Sequence, residues 1–362
     1  MRTLIRRTCL ALAVLFGATE SLPAAAQLSQ GEGDLRVMTY NVDEGTDYLE
    51  VTAARSPTEF LIAVGQTITQ VRATKPPQRM QAVADQIIAA APALVSLQEV
   101  DQWFTGSFNP VSRTCGPVAL EFDMLQELTN ALAAKGAAYE VAAQVRQFAF
   151  PPVPGLIPPG TFQCVQVINH NVILARSDLD PTKFKWGNAQ SGLFASALIF
   201  NTPLGPFPAS RAWLSVDAEF NGRAFRFIGT HLESADPNIQ RSQAAELRAV
   251  PANTSLPVVA AMDSNAQAAP PPQNTTYLDF IAAGWVDAWT KTNRNVLGLT
   301  CCQAQLDNNP VSQLYQRVDL ILTLGNIVPQ NIALFGIAQD SKTADGLWPS
   351  DHAGVAAQLL VQ

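Results

Sequence analysis

The chain has 362 residues, 48% hydrophobic and 15% charged, which is enough apolar material for one large core or two small ones. Its 30 acidic residues outnumber 23 Lys and Arg, for a formal net charge of −7. That balance disfavours a protein that blankets nucleic-acid phosphates with basic surface, although it permits a brief meeting with a backbone at one cleft.

The first segment reads as a leader. Arg2, Arg6 and Arg7 precede an apolar run over 8–18, and small residues at A-x-A spacing end at Ala26. The run is shorter than the roughly 20 residues a bilayer span needs, and no later stretch is longer, so no transmembrane anchor is expected. Residues 1–26 are therefore expected to be a secretory signal peptide, and 27–362 a single domain of a secreted or periplasmic protein. Removing the leader takes away three Arg and Glu20, leaving 20 basic and 29 acidic residues and a net charge of −9.

Residues 35–40 read as a strand. Met80, Val83, Ala84, Ile87, Ile88 and Ala91 recur at helical spacing up to Pro92, and 93–100 is a buried strand. Leu120, Met124, Leu125, Leu128 and Leu132 predict a second amphipathic helix ending at Lys135-Gly136. Strands are expected over 172–175, 195–200, 212–220 and 225–229, the last two joined by Asn221-Gly222, a strong hairpin signal. A helix over 239–248 and strands over 257–262 and 318–324 complete the pattern. Mixed strands and helices of this kind argue for α/β layers with a mixed sheet. Two segments look inserted: 44–78, partly helical, and the proline-rich, apolar 148–162, read as an irregular surface loop that either covers a core edge or forms a lip that contacts substrate or lipid.

Four cysteines follow the leader: Cys115, Cys164, Cys301 and Cys302. An even number in an exported chain suggests two disulfides, with three possible pairings, of which the one that joins adjacent Cys301 and Cys302 is disfavoured as strained. The rival zinc reading is weakened by the lack of C-x-x-C spacing and of a nearby His.

Carboxylates recur at strand ends. Glu99 closes Ala-Leu-Val-Ser-Leu-Gln, Asp263 follows Pro-Val-Val-Ala-Ala-Met, and Asp319 sits in Arg-Val-Asp-Leu-Ile-Leu. Asp43 and Asp351 join them. Clustered acids must share protons or hold a cation, and Mg²⁺ prefers carboxylate oxygens. Two of the three histidines, His231 and His352, also stand at strand ends beside polar groups, where an imidazole can exchange protons or bind phosphate. His170 is read as structural.

In their order these motifs resemble the endonuclease/exonuclease/phosphatase superfamily over nearly the whole chain after the leader. Met-Thr-Tyr-Asn41-Val-Asp43, Leu-Gln-Glu99-Val, Asn171-Val-Ile-Leu-Ala-Arg, Thr230-His231-Leu232, Met262-Asp263-Ser-Asn265, Arg317-Val-Asp319-Leu and Ser350-Asp351-His352 carry the likeness, with His170 and Met262 where glycine is usual. The resemblance implies a four-layer α/β/β/α sandwich, two mixed sheets packed face to face with helices outside. It implies a hydrolase of phosphate esters in which Mg²⁺, or Mn²⁺ in its place, is held by Glu99 with Asp43 and Asp351. Asp263 and Asn265 would direct the attacking water. His352, steadied by Asp319, and His231 would contact the phosphate, and Asn41 would hold a phosphate oxygen or a ligand. Asn171 and Arg211 are further substrate-binding candidates. Nucleic acid, a phospholipid head group and a small diester all remain open as substrate, and no stable protein partner is implied. A binding protein that keeps the fold without catalysis is the alternative class.

Overall fold

The computed structural model describes residues 34–269 and 274–362, so the expected leader over 1–26 lies outside the described residues. The chain opens with β1 (Leu35–Asn41) and then α1 (Leu49–Ala53), α2 (Pro57–Thr74) and α3 (Pro76–Ala90). Ser56 caps α2 by accepting from the Glu59 amide, and Pro76 starts a new helix because proline cannot continue the old one. Next come β2 (Leu94–Gln98), β3 (Gln102–Asn109), β4 (Thr114–Asp123), α4 (Met124–Ala134), β5 (Tyr139–Ala149), β6 (Val153–Ile157) and β7 (Thr161–Arg176). The second half holds β8 (Phe184–Leu193), β9 (Leu198–Thr202), β10 (Gly205–Ala209), β11 (Ala212–Phe220), β12 (Arg223–His231), α5 (Pro237–Ala249) and β13 (Val258–Asp263). It closes with α6 (Thr275–Ala282), β14 (Val286–Asp287), α7 (Ala288–Thr292), β15 (Asp319–Leu324), β16 (Ile327–Phe335) and β17 (Gly354–Val361).

These strands build two large mixed sheets. One runs β16-β17-β1-β2-β7-β3-β4, with β5 and β6 also paired to β7; the other runs β14-β15-β13-β12-β11-β8. Alternation along each strand decides what each face buries. Val37, Leu94 and Ile173 of the first sheet meet Leu214, Phe227, Val259 and Ile321 of the second in a shared core. Their sequence neighbours Met38, Val95 and Leu174 turn outward onto Met80, Val83 and Ile87 of α3 and Leu128 of α4. On the far side, Ile228, Ala260 and Leu320 pack against Leu247 of α5 and Phe280 of α6. The result is helix, sheet, sheet, helix: the four-layer α/β sandwich. Each fully buried Leu, Ile or Phe contributes roughly 1.5–3 kcal/mol of apolar burial. Gly229 lets the two sheets approach closely, since a Cβ there would stand 2.5 Å from Ser96 Oγ.

Several expectations need correction. Residues 148–162 are not an irregular loop: they hold the end of β5 and all of β6, which packs on α2 where Gly65 and Gly155 let the two backbones meet. The second helix does not begin near Leu120, which is exposed on β4; Asp123 accepts from the Gln126 amide and starts α4 at Met124. The predicted strand over 172–175 is the end of the 16-residue β7, which pairs in turn with β2, β3, β5 and β6. The disfavoured disulfide pairing is the one present. Cys115 on β4 joins Cys164 on β7 across a Cα separation of 5.7 Å, which leaves Cys301 and Cys302 to each other. No helix among the described residues is long and apolar enough to cross a membrane.

Candidate active site

Strand register assembles the site. In the second sheet His231 pairs with Asp263 across β12 and β13, and Asp263 with Asp319 across β13 and β15, so three site residues lie side by side at one end of the sheet. In the first sheet Asn41 pairs with Gln98, which delivers Glu99 just beyond the end of β2. His352 precedes β17, and Ser350 Oγ donates to the Asn41 carbonyl at 2.7 Å, tying that loop to β1. Asp43, Glu99 and Asn265 each adopt a left-handed backbone (φ 55°, 57° and 50°) just past the ends of β1, β2 and β13. Such a conformation costs about 1–2 kcal/mol in a non-glycine residue, and here it turns each side chain back toward the cleft. Met262 and His170, which stand where glycine was expected, have no positive φ, so neither position uses a glycine's freedom.

Asn41 is the central link. Its buried Nδ2 donates to Glu99 Oε1 at 2.8 Å and to Asp263 Oδ2 at 3.0 Å, joining the acids of the two sheets. Asn265 N donates to Asp263 Oδ1 at 2.9 Å. His352 Nδ1 meets Asp319 Oδ2 at 2.7 Å, and its Nε2 stands 3.9 Å from both Asp263 Oδ2 and Asp351 Oδ1. Arg211 NH1 lies 3.0 Å from His231 Nδ1. Asn265 Nδ2 lies 3.0 Å from His231 Nε2, which also stands 3.4 Å from Asp263 Oδ2, so both ring nitrogens face an N–H group.

The charges sort accordingly. Burial, reinforced by the Arg211 charge, pushes His231 down to about 3, so it is neutral near pH 7. Burial also opposes charge on His352, but Asp319, Asp351 and Asp263 outweigh it and hold this imidazole well above its usual value. Burial works to raise Asp263, yet the two histidines and the Asn41 and Asn265 donors keep it below the ordinary carboxylate range. Asp319 is raised to about 6 by burial and by Asp263, against the pull of His352. Glu99 is raised by burial and by Asp43, and Asp351 well raised by burial, with Asp43 and Glu99 adding to it.

Asp43, Glu99, Arg211, His231, Asp263, Asn265, Asp351 and His352 line one cleft of about 670 Å³. Asn41 and Asp319 lie beneath it, bonded to residues that line it. Asn171 does not reach the cleft: it is buried and donates to the Ala212 carbonyl at 3.2 Å, beside Arg211. His170 also lies outside the cleft. Asp43 is half committed elsewhere, since its Oδ1 accepts from Gly45 N at 2.7 Å and its Oδ2 stands 3.5 Å from Arg79.

Sequence reasoning missed several supports. Arg79 is fully buried, donates to the carbonyls of Val42, Asp43, Thr74 and Pro349, and faces Asp43 and Asp307. The signal was available: an arginine on the apolar stripe of α3, beside Met80 and four residues before Val83. Glu44 lines the cleft, with its Oε2 accepting from Asn169 at 2.8 Å and burial raising its carboxyl, but its position in a loop carried no pattern. On the apolar side of the cleft, Phe148 and Phe150 come from the segment read as an apolar surface loop, and Phe207, which was not foreseen, joins them: Phe150 and Phe207 stack at 3.6 Å, with Phe148 edge-on to both.

No protein-family profile matches the chain, and no curated protein matches it in sequence. Solved structures do. The chain is similar to an endonuclease/exonuclease/phosphatase family protein from Bacteroides thetaiotaomicron at 16% identity, over 90% of this chain and 94% of that one, with a TM-score of 0.54. It is similar to the mannosyl-6-phosphatase Bt3783 of Bacteroides thetaiotaomicron VPI-5482 at 16% identity, over 90% and 99% of the two chains (TM-score 0.53). It is likewise similar to D. rerio TDP2 complexed with a single-strand DNA product, at 16% identity over 90% and 99% (TM-score 0.52). The chain has the endonuclease/exonuclease/phosphatase fold.

Proposed function

We propose that this chain is an exported, single-domain, Mg²⁺-dependent phosphodiesterase. One observation carries the reading: Asn41 bonds Glu99 and Asp263 from opposite sheets at the floor of a cleft that both histidines enter. The fold neighbours, which include a phosphatase and a protein bound to a DNA product, agree with phosphate-ester chemistry. The leader-like first residues and the Cys115–Cys164 bridge support export.

Glu99 and Asp351 fit an oxygen-liganded dication. Both carboxyls are raised by burial among other acids, and Asp351 Oδ1 has no hydrogen-bond partner. Asp43 contributes one oxygen at most, given its bonds to Gly45 and its approach to Arg79. A bound Mg²⁺ or Mn²⁺ would neutralise charge on the phosphate. The chain's own groups supply the rest. Asp263, held ionised, takes the proton of a water whose oxygen attacks phosphorus, and Asn265 orients it. His352, charged and held by Asp319, contacts the phosphate and gives its Nε2 proton to the leaving oxygen as the P–O ester bond breaks. His231 stays neutral beside Arg211 and Asn265 and contacts the phosphate.

The stacked Phe150 and Phe207 favour a diester with an apolar substituent, such as a phospholipid head group with its lipid, over a bare nucleic-acid backbone. The test is hydrolysis of plasmid DNA, RNA, sphingomyelin, an inositol phosphate and a synthetic phosphodiester, with and without Mg²⁺, by wild-type and His352→Ala chains. Metal-dependent turnover of one member, lost in the variant, is expected. A folded chain that turns over none of them, with or without metal, favours a binding role or an ester outside this panel.

A further inference from the structure

Cys301 and Cys302 stand in the wall of the same cleft. The backbone holds them there. Cys301 forms a β-bridge with His352, Gln303 N donates to the Asp351 carbonyl at 2.8 Å, and Ala353 N donates to the Thr300 carbonyl at 2.7 Å. Thr300 Oγ1 accepts from the amides of Val318 and Asp319 at 3.1 Å, so the segment is fastened to both strand ends that carry the His352–Asp319 pair. The chain thus brings a histidine to cysteines from which it is separated by some fifty positions, which answers the lack of a nearby His in the sequence but not the lack of C-x-x-C spacing.

One ligand atom from each of Cys301, Cys302, Asp351 and His352 lies within 4.8 Å of the others. Asp351 Oδ1 has no hydrogen-bond partner, and Asp319 occupies His352 Nδ1, leaving Nε2 to face the cleft. Two sulfurs, one imidazole nitrogen and one carboxylate oxygen form a donor set for a tetrahedral, thiophilic dication and a poor one for Mg²⁺. The sulfurs ligate only as thiolates, and a disulfide has none.

We propose that Cys301, Cys302, Asp351 and His352 form a redox-gated site for a divalent cation of the zinc–cadmium class. The disulfide closes the site and reduction opens it. A phosphine reductant takes the oxygen of one water, whose two protons go to the two sulfurs; the incoming dication then displaces both protons and is held by the thiolates. Occupation withdraws Asp351 and His352 from the phosphate-ester cleft. This inhibitory consequence alone rests on the hydrolase reading; the metal site does not.

The test uses the full chain, reduced with a phosphine, stripped of reductant without air and titrated with Cd²⁺. One equivalent per chain is expected, with thiolate-to-cadmium ultraviolet absorption that is absent from the unreduced chain and from Cys301→Ser/Cys302→Ser. That variant keeps Cys115 and Cys164, so it reports any signal from the other bridge. His352→Ala keeps the band but weakens binding by about tenfold or more, and Asp351→Asn provides the same readout if the first variant does not fold. In the reduced wild-type chain with Mg²⁺ present, hydrolysis is lost on adding the Cd²⁺ equivalent. A reduced chain with its thiols counted free but no band, an equal band in the double-serine chain, or an affinity unmoved by both His352→Ala and Asp351→Asn overturns the proposal. The band is read without substrate, so its failure is separable from a failure of the hydrolase reading.

Discussion

Glu99 and Asp263 end strands in opposite sheets, are bonded to the same Asn41 amide, and yet their carboxyls move in opposite directions. Burial acts to raise both. For Glu99, burial and Asp43 outweigh the pull of His352 and the Asn41 donor, and it rises; Asp263 has His231, His352 and two donors and falls. Burial alone therefore does not set the protonation of a site; the local supply of positive charge and N–H groups does. The first sheet's side of the cleft is short of cations, which suits a dication. The second sheet's side is complete, which suits proton transfer.

The sharpest way to break this division is at the complete side. Asp263→Asn keeps the shape and the Asn41 contact but removes the base, and kcat/KM is expected to fall by roughly 10²–10⁴-fold with the affinity for Mn²⁺ little changed. Steady-state kinetics beside calorimetric titration of the metal checks this. A variant that keeps its rate but loses its metal would exchange the roles of the two sides.

The next effect is on stability. Arg79 is the buried cation behind the acid-rich side, and Asp307, fully buried with no hydrogen-bond partner for either oxygen, depends on it. Arg79→Met removes the buried donor of four backbone carbonyls and the cation facing Asp43, and is expected to cost about 3–5 kcal/mol. Arg72→Met, which breaks the partly exposed pair with Glu121, is expected to cost about 0–1 kcal/mol. Urea midpoints of the two variants read the difference directly.

What was legible in the sequence follows the same line. The strand ends that carry Glu99, Asp263 and Asp319 could be read because a buried strand leaves an uninterrupted apolar run, and an acid at its end is conspicuous. Asn221-Gly222 gave its hairpin for a comparable local reason. Residues 148–162 could not be read, because β6 is stabilised by the close approach of Gly155 to α2, a contact across some ninety positions. Arg79 and Glu44 were missed because their roles come from loops folded over them. The Cys301–Cys302 pairing was misjudged because local strain was weighed without knowing that β4 and β7 would bring Cys115 and Cys164 together.

On the cation-poor side, Glu99→Gln removes a charge from the proposed metal site without changing its size. Affinity for Mn²⁺ is expected to fall by roughly 10–100-fold, read by calorimetry without substrate. The urea midpoint should fall little or rise, since the variant no longer buries a carboxylate beside Asp43. A chain that binds Mn²⁺ as well as before would move the metal away from Glu99.

The smallest effect tests the neutral histidine. His231 is held at about 3 in the folded chain by burial and Arg211, below its ordinary 6.5. The unfolded chain therefore takes up this proton first as pH falls, so the stability from a neutral His231 is full above the unfolded value and is lost on acidification toward pH 3. The slope is ~1.4 kcal/mol per pH unit, or roughly 2 kcal/mol between about pH 6.5 and about pH 5. His231→Gln cannot take the proton and lacks this slope. Asp319, raised to about 6, gives a slope of opposite sign, but it is present in both chains and drops out of the difference. Urea midpoints of the two chains across this range, measured with chelator, should converge as pH falls. Parallel lines would mean that His231 takes up its proton in the folded chain as it does in the unfolded one, and that the contrast between the two sides of the cleft is smaller than the geometry indicates.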